Sequence, residues 1–267
     1  KLGTNINKDV LIFKENDTQY NLSISLSRTK KYLFLQVSKT ESNEFWMLNL
    51  EEGNTDLECF LRRKRKHLYY IDDTPEKFII LSNRNDKKNF SLYETKTNQR
   101  KEINWKTIVD HKDDELIEDF LCFKNFIILA TRKKGLPRLL QIDRQKNKKS
   151  YLNFQNEAYT LSLVNNNNFN DHNFCYAFSS LNSPPVIYSQ NLYTKKRKKL
   201  WSQKILNHRE NKYITKRINI KVRDGTKVPV SFIYKKGINL KEAPLLQYGY
   251  GSYGQIIEPS FKLSFMP

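Results

Sequence analysis

Phe126-Ile-Ile-Leu-Ala-Thr-Arg132 is an apolar run of strand length, and it is one of four. Tyr32-Leu-Phe-Leu-Gln-Val-Ser38, Phe78-Ile-Ile-Leu-Ser-Asn83 and Phe174-Cys-Tyr-Ala-Phe-Ser-Ser180 have the same character, and the four begin 46, 48 and 48 residues apart. Each is followed across a short polar stretch by a partner strand: Glu44 to Leu50, Phe90 to Thr95, Pro137 to Asp143 and Pro185 to Leu192. The polar stretches read as hairpins. A second, weaker pair fits in every period, for example Asp9 to Lys14 and Asn21 to Ser27 ahead of the first run. Four short antiparallel strands repeated every ~40 to 50 residues describe the blade of a β-propeller. A β-sandwich is the competing architecture, but it has no reason to keep a period. WD and Kelch signatures are absent.

The pattern changes after about residue 205. Tyr213-Ile-Thr-Lys-Arg-Ile-Asn-Ile-Lys-Val222 alternates, Asp224-Gly225 supplies a turn, and Val228-Pro-Val-Ser-Phe-Ile-Tyr234 alternates again, which predicts a hairpin outside the repeats. A polar stretch then leads into Pro244-Leu-Leu-Gln-Tyr-Gly-Tyr-Gly251, which reads as an apolar strand running into glycines. The expected division is a partial propeller over residues 1–208 and the start of a second domain over 209–267.

The chain has 267 residues, enough for one large domain or two ordinary ones. Apolar residues make up 38% and no apolar run approaches the ~18 residues of a membrane span, so no membrane partner and a cytoplasmic location are expected. Forty-seven Lys and Arg against 28 Asp and Glu leave a charge of +19, but the excess is scattered and fits a solvated surface. The two densest runs, Arg62-Arg-Lys-Arg-Lys66 and Lys195-Lys-Arg-Lys-Lys199, fall in loops or on outer blade edges, where lysines discourage strand-to-strand aggregation. No nucleic-acid partner is expected. Cys59, Cys122 and Cys175 are too far apart for a zinc motif and suit reduced thiols, so neither metal nor cofactor is expected. The first residue is Lys1 and there is no signal-peptide pattern, which suggests a piece of something longer. Asn165 to Asn168 reads as a low-complexity loop.

Tyr248-Gly-Tyr-Gly-Ser-Tyr-Gly254 gathers three of the eight glycines, a backbone bent where side chains would obstruct it. Phenolic hydroxyls on such a loop can donate hydrogen bonds to a developing negative charge.

Asp224-Gly-Thr-Lys-Val-Pro-Val-Ser-Phe-Ile-Tyr234, followed by Pro244-Leu-Leu-Gln-Tyr-Gly-Tyr-Gly-Ser-Tyr-Gly254, resembles the start of the peptidase domain in the prolyl oligopeptidase family. The oligopeptidase B (protease II) branch is the nearest match. The likeness extends to Lys1-Leu-Gly-Thr4 with Asp9-Val-Leu-Ile-Phe-Lys-Glu15, to Ser82-Asn-Arg-Asn-Asp-Lys-Lys-Asn-Phe-Ser-Leu-Tyr93, and to Arg132-Lys-Lys-Gly-Leu-Pro-Arg138. The resemblance implies a seven-bladed propeller covering an α/β-hydrolase domain, with access restricted so that only short peptides reach a serine nucleophile. It implies that the hydroxyl of Tyr250 completes the oxyanion hole, that Tyr248 and the glycines shape its loop, and that Glu258 helps bind basic substrate side chains. Ser260 stands where the branch carries a second acid, and a serine solvates a basic group without compensating its charge.

The chain departs from the family in lacking the Gly-x-Ser-x-Gly elbow and the later Asp and His of the triad. Ser252 reads as structural, and His67, His111, His172 and His208 as surface or loop residues. The expectation is therefore a mainly β chain: an incomplete seven-bladed type β-propeller followed by the first strands of an α/β-hydrolase domain. It would be part of a serine endopeptidase that cleaves short peptides after basic residues, inactive without its C-terminal catalytic segment. The alternative is a non-catalytic propeller that binds peptides or proteins. A third, a basic nucleic-acid binder, would reveal itself by a steep salt dependence.

Overall fold

Side chains alternate between the two faces of a strand, so a run without polar alternates must be covered on both faces. The four apolar runs meet that demand by forming the second strand of four separate four-stranded antiparallel sheets. The structure, a computed structural model, describes residues 3–53, 56–164, 166–252 and 254–266. Lys1 and Leu2, Asn165 of the asparagine loop and Tyr253 of the glycine-tyrosine motif lie outside the described residues.

The first sheet comprises β1 (Asn21–Leu26), β2 (Tyr32–Lys39), β3 (Ser42–Asn49) and β4 (Glu58–Leu61), and the second β5 (Tyr69–Thr74), β6 (Lys77–Ser82), β7 (Ser91–Lys96) and β8 (Lys106–Val109). The third holds β9 (Glu115–Cys122), β10 (Phe126–Lys133), β11 (Leu136–Asp143) and β12 (Lys148–Tyr151), and the fourth β13 (Tyr159–Leu163), β14 (Asn173–Ser180), β15 (Val186–Asn191) and β16 (Arg197–Ser202). Every sheet runs up and down in chain order, the blade pattern. A separate hairpin pairs β17 (Tyr213–Lys221) with β18 (Lys227–Lys235). Its turn is closed by the Asp224 carboxylate, which accepts from the Thr226 amide at 2.9 Å. No helix among the described residues is long and apolar enough to cross a membrane.

The chain divides into two compact units, residues 1–124 and 125–267, at the turn between β9 and β10. In the first unit an aromatic cluster fills the space between the first two sheets, with Phe78 fully buried and its ring 5.1 Å from Phe60 and 5.2 Å from Tyr32. Polar joints accompany it. The Asn43 amide exchanges two hydrogen bonds with the Tyr69 backbone, at 2.7 and 3.0 Å, and the Tyr69 hydroxyl donates to the Leu61 carbonyl while accepting from the Phe45 amide. Asp72 accepts the Arg28 amide at 2.7 Å and Asp73 the Thr29 amide at 2.9 Å, which clasps the β1–β2 loop to β5. In the second unit, Phe154 stacks on Phe178 at 5.7 Å, and the buried Gln141 amide donates to the Leu192 carbonyl at 2.6 Å.

Two expectations are corrected. Asp9 to Lys14 forms no strand: Val10, Leu11 and Ile12 are exposed, and the fourth place in the first sheet goes to β4. The segment is tethered by charge instead, through a two-pronged pair between Glu15 and Arg63 at 2.6 and 3.3 Å. Hydrogen bonding from Arg63 holds the Glu15 carboxyl down at about 2. Pro244 to Gly251 has no ladder either, because a strand exists only against a neighbour and none of the described residues pairs with it. His67 lies in the loop before β5, one of the two settings expected for it, but is buried at 6% exposure, with Nε2 2.9 Å from the Ser82 hydroxyl, and burial pushes its pKa down. The basic runs lie as expected: residues 62–66 form a loop, and Arg197 to Lys199 lie on β16, an exposed edge strand.

Candidate functional site

The β10–β11 hairpin turns on two residues, Lys134 and Gly135, both left-handed at φ 51° and 74°, which matches the twist of the flanking strands. A β-carbon on Gly135 would lie 2.7 Å from Nη2 of Arg217. The missing side chain therefore lets Arg217 on β17 lay its guanidinium against the turn, donating to the Lys134 carbonyl at 2.8 Å and to its cross-strand partner Ser231 at 3.4 Å. Its backbone amide donates to Glu157 at 3.2 Å.

Arg132, near the end of β10, reaches the same turn. Its Nη1 donates to the Gly135 carbonyl at 3.2 Å and to Oε2 of Glu258 at 3.4 Å, while Nη2 donates to Oε1 of Glu258 at 2.5 Å. This is the forked guanidinium–carboxylate geometry, stronger and more directional than a single contact. The side chains are 11% and 29% exposed respectively, so the pair is partly withdrawn from water. The segment after Glu258 is pinned as well: Ser179 accepts the Phe261 amide at 3.0 Å and donates to the Ser183 carbonyl at 2.9 Å. Burial lowers the pKa of Arg217, repulsion from Arg132 lowers it further, and Glu258 opposes both. The arrangement is thus one guanidinium–carboxylate fork, with a second guanidinium, that of Arg217, on the neighbouring turn.

Tyr250 has a different setting. It is 50% exposed on the irregular stretch before Gly251, with its neighbour Tyr248 5.4 Å from Phe265 and beneath the Lys262 ammonium at 5.0 Å. Ser252 is exposed, and its carbonyl closes a turn by accepting from Gln255 at 3.1 Å. Chemically, Tyr250 offers a phenolic donor on an open loop, and Glu258 offers a carboxylate shaped to receive a guanidinium. Arg132 and Arg217 are the site residues the sequence reading missed. The only available signal was the stretch Arg132 to Arg138, which carried family likeness without a role. No group of three or more His, Cys, Asp or Glu side chains among the described residues could hold a metal, and Cys59, Cys122 and Cys175 are in no disulfide.

The family described as prolyl oligopeptidase, N-terminal beta-propeller domain, matches residues 1–203. Dipeptidyl aminopeptidase BI of Pseudoxanthomonas mexicana is 29% identical over 265 residues, covering 98% of this chain and 36% of that protein. Protease 2 of Moraxella lacunata is 24% identical, covering 98% of this chain and 37% of its own length. Among solved structures, oligopeptidase B from Trypanosoma brucei with covalently bound antipain, in its closed form, superposes with a TM-score of 0.91 at 25% identity, covering 98% of this chain and 38% of that one. Oligopeptidase B from Leishmania major, at 22% identity and a TM-score of 0.92, shares the fold. The chain spans little more than a third of the length of the relatives it matches.

Proposed function

Because the chain belongs to the prolyl oligopeptidase family and carries its N-terminal β-propeller domain over residues 1–203, we propose that it is the gating part of a serine oligopeptidase that cleaves short peptides after basic residues. Residues 1–208 form the partial propeller in this reading, and residues 209–267 begin the hydrolase domain. The end of the last four-stranded sheet at Ser202 and the start of an unrelated hairpin at Tyr213 support that division. The serine nucleophile, its general base and the orienting acid come from a segment outside these 267 residues, so this segment alone does not hydrolyse peptides. In the whole enzyme the serine attacks the scissile carbonyl, histidine takes its proton, and the Tyr250 hydroxyl donates to the oxyanion of the tetrahedral intermediate. Its half-exposed position on a glycine-flanked loop leaves that hydroxyl available to a reacting group.

The observation that carries the basic preference is the fork between Glu258 and Arg132: the carboxylate sits where a guanidinium can meet both oxygens. With Ser260 in place of a second acid, one basic side chain is favoured over two adjacent ones. The test is hydrolysis by the full-length protein of short peptides with Arg, Lys or Ala before the scissile bond. A kcat/KM for Arg about a hundredfold or more above that for Ala supports the reading. Equal rates overturn the basic preference, and saturable binding without turnover marks a non-catalytic peptide-binding propeller.

A further inference from the structure

We propose that Arg132 is a built-in ligand of the Glu258 site, occupying it in place of a substrate's basic side chain and leaving by exchange when that side chain arrives. This rests on the reading of Glu258 as the receiver of the substrate's basic group. A substrate arginine carries the same guanidinium as Arg132 and seeks the same two oxygens. Simple addition would place two guanidiniums, those of Arg132 and the substrate, on the same two oxygens. Exchange leaves one guanidinium on the two oxygens, as before. Arg132 also has somewhere to go, since its Nη1 already donates to the Gly135 carbonyl at 3.2 Å and that bond does not depend on Glu258. Arg217 cannot follow, being held by the Lys134 carbonyl and facing Ser231 across the hairpin.

The consequence is a lower affinity for every basic ligand. An incoming group must replace a forked, charge-assisted contact, which a planar guanidinium can match and an ammonium cannot. Arg132 lowers affinity for Arg and Lys by the same factor, and the preference for Arg over Lys is set by the carboxylate and not by the competition. A site whose competent state is occupied by its own chain for ~90 to 99% of the time binds ligand ~10- to 100-fold more weakly than the open site.

The experiment uses the 267-residue chain, with acetyl-arginine amide and acetyl-lysine amide as probes in a binding titration. Arg132→Gln is expected to tighten binding of both probes by the same ~10- to 100-fold and to leave the Arg-over-Lys ratio unchanged. Glu258→Gln is expected to abolish binding in either background. If Arg132→Gln leaves affinity unchanged or weakens it while Glu258→Gln abolishes it, the exchange is refuted and the Glu258 reading survives. If Glu258→Gln changes nothing, both fall. A measurement on the unmodified chain covers the case in which Arg132→Gln does not fold. Saturating acetyl-arginine amide should move the Arg132 guanidinium nitrogen resonances from their bound positions, and resonances that stay in place overturn the proposal.

Discussion

Gly135 lets a charged group approach a backbone turn more closely than any side chain would permit. Gly135→Ala must hold an L residue at φ 74° and push Arg217 off the Lys134 carbonyl. A loss of about 1 to 2 kcal/mol is expected from the backbone alone, read as a lower melting temperature of the chain. At Tyr250 the effect should be kinetic: Tyr250→Phe in the full-length enzyme lowers kcat about a hundredfold or more with little change in KM, as loss of an oxyanion donor does. An equal rise in KM at constant kcat would assign the hydroxyl to ground-state binding instead. Tyr250 and Glu258 are nominated by the family resemblance, which needs only a local stretch within eleven residues of Tyr248. Arg132 was not, since its partner lies 126 residues away, and neither was Arg217, 83 residues from the carbonyl it holds. Contacts of that separation leave no local spacing to read.

At the level of strands and loops, the four inner runs were legible because burial on both faces writes itself as unbroken apolarity. The outer strands were harder to place. β4 and β8 are four residues each, partly polar, and joined to their neighbours with a register shift, so nothing in their spacing separates them from loop. Asp9 to Lys14 has the composition of a strand and lacks the partner. Two groups make the first unit sensitive to pH in opposite directions. Burial lifts the Asp72 carboxyl to about 7, so its folded form holds a proton that the unfolded chain has lost above about 4. Its contribution to stability is complete below that value and is lost as pH rises through about 7. Asp72→Asn keeps an acceptor for the Arg28 amide without the charge, and should flatten this slope and raise the melting temperature at pH 8 by a few degrees. His67 works the other way. Its lowered pKa means that the unfolded chain takes up a proton first, so stability is lost as pH falls below about 6.5. Melting curves from pH 4 to 9 read both slopes. Within the aromatic cluster, Phe78→Ala should cost about 3 to 5 kcal/mol in denaturant titrations, because the ring is fully buried between Tyr32 and Phe60.

Across the whole molecule the balance is between exposed apolar surface and charge. In the first unit, Val10, Leu11, Ile12 and Ile24 face solvent, and in the second Leu245 and Leu246 do. The excess of 19 positive charges opposes association. Sedimentation of the 267-residue chain should therefore show self-association that grows as salt screens the charge, and replacing Ile24 with Lys should reduce it. A chain that stays monomeric at all salt concentrations would contradict this.

The sheets repeat, but the joints between and within them do not. Asn43 meets Tyr69 in one place, the Asp72–Asp73 pair holds Arg28 and Thr29 in another, and Gln141 grips Leu192 in a third. These are not interchangeable parts. A chimera that moved one sheet into the place of the next would keep every apolar face and lose every matched donor and acceptor, leaving buried polar groups without partners. The ~48-residue period is thus a rhythm of strands, while the order of the sheets is written in side chains that occur once.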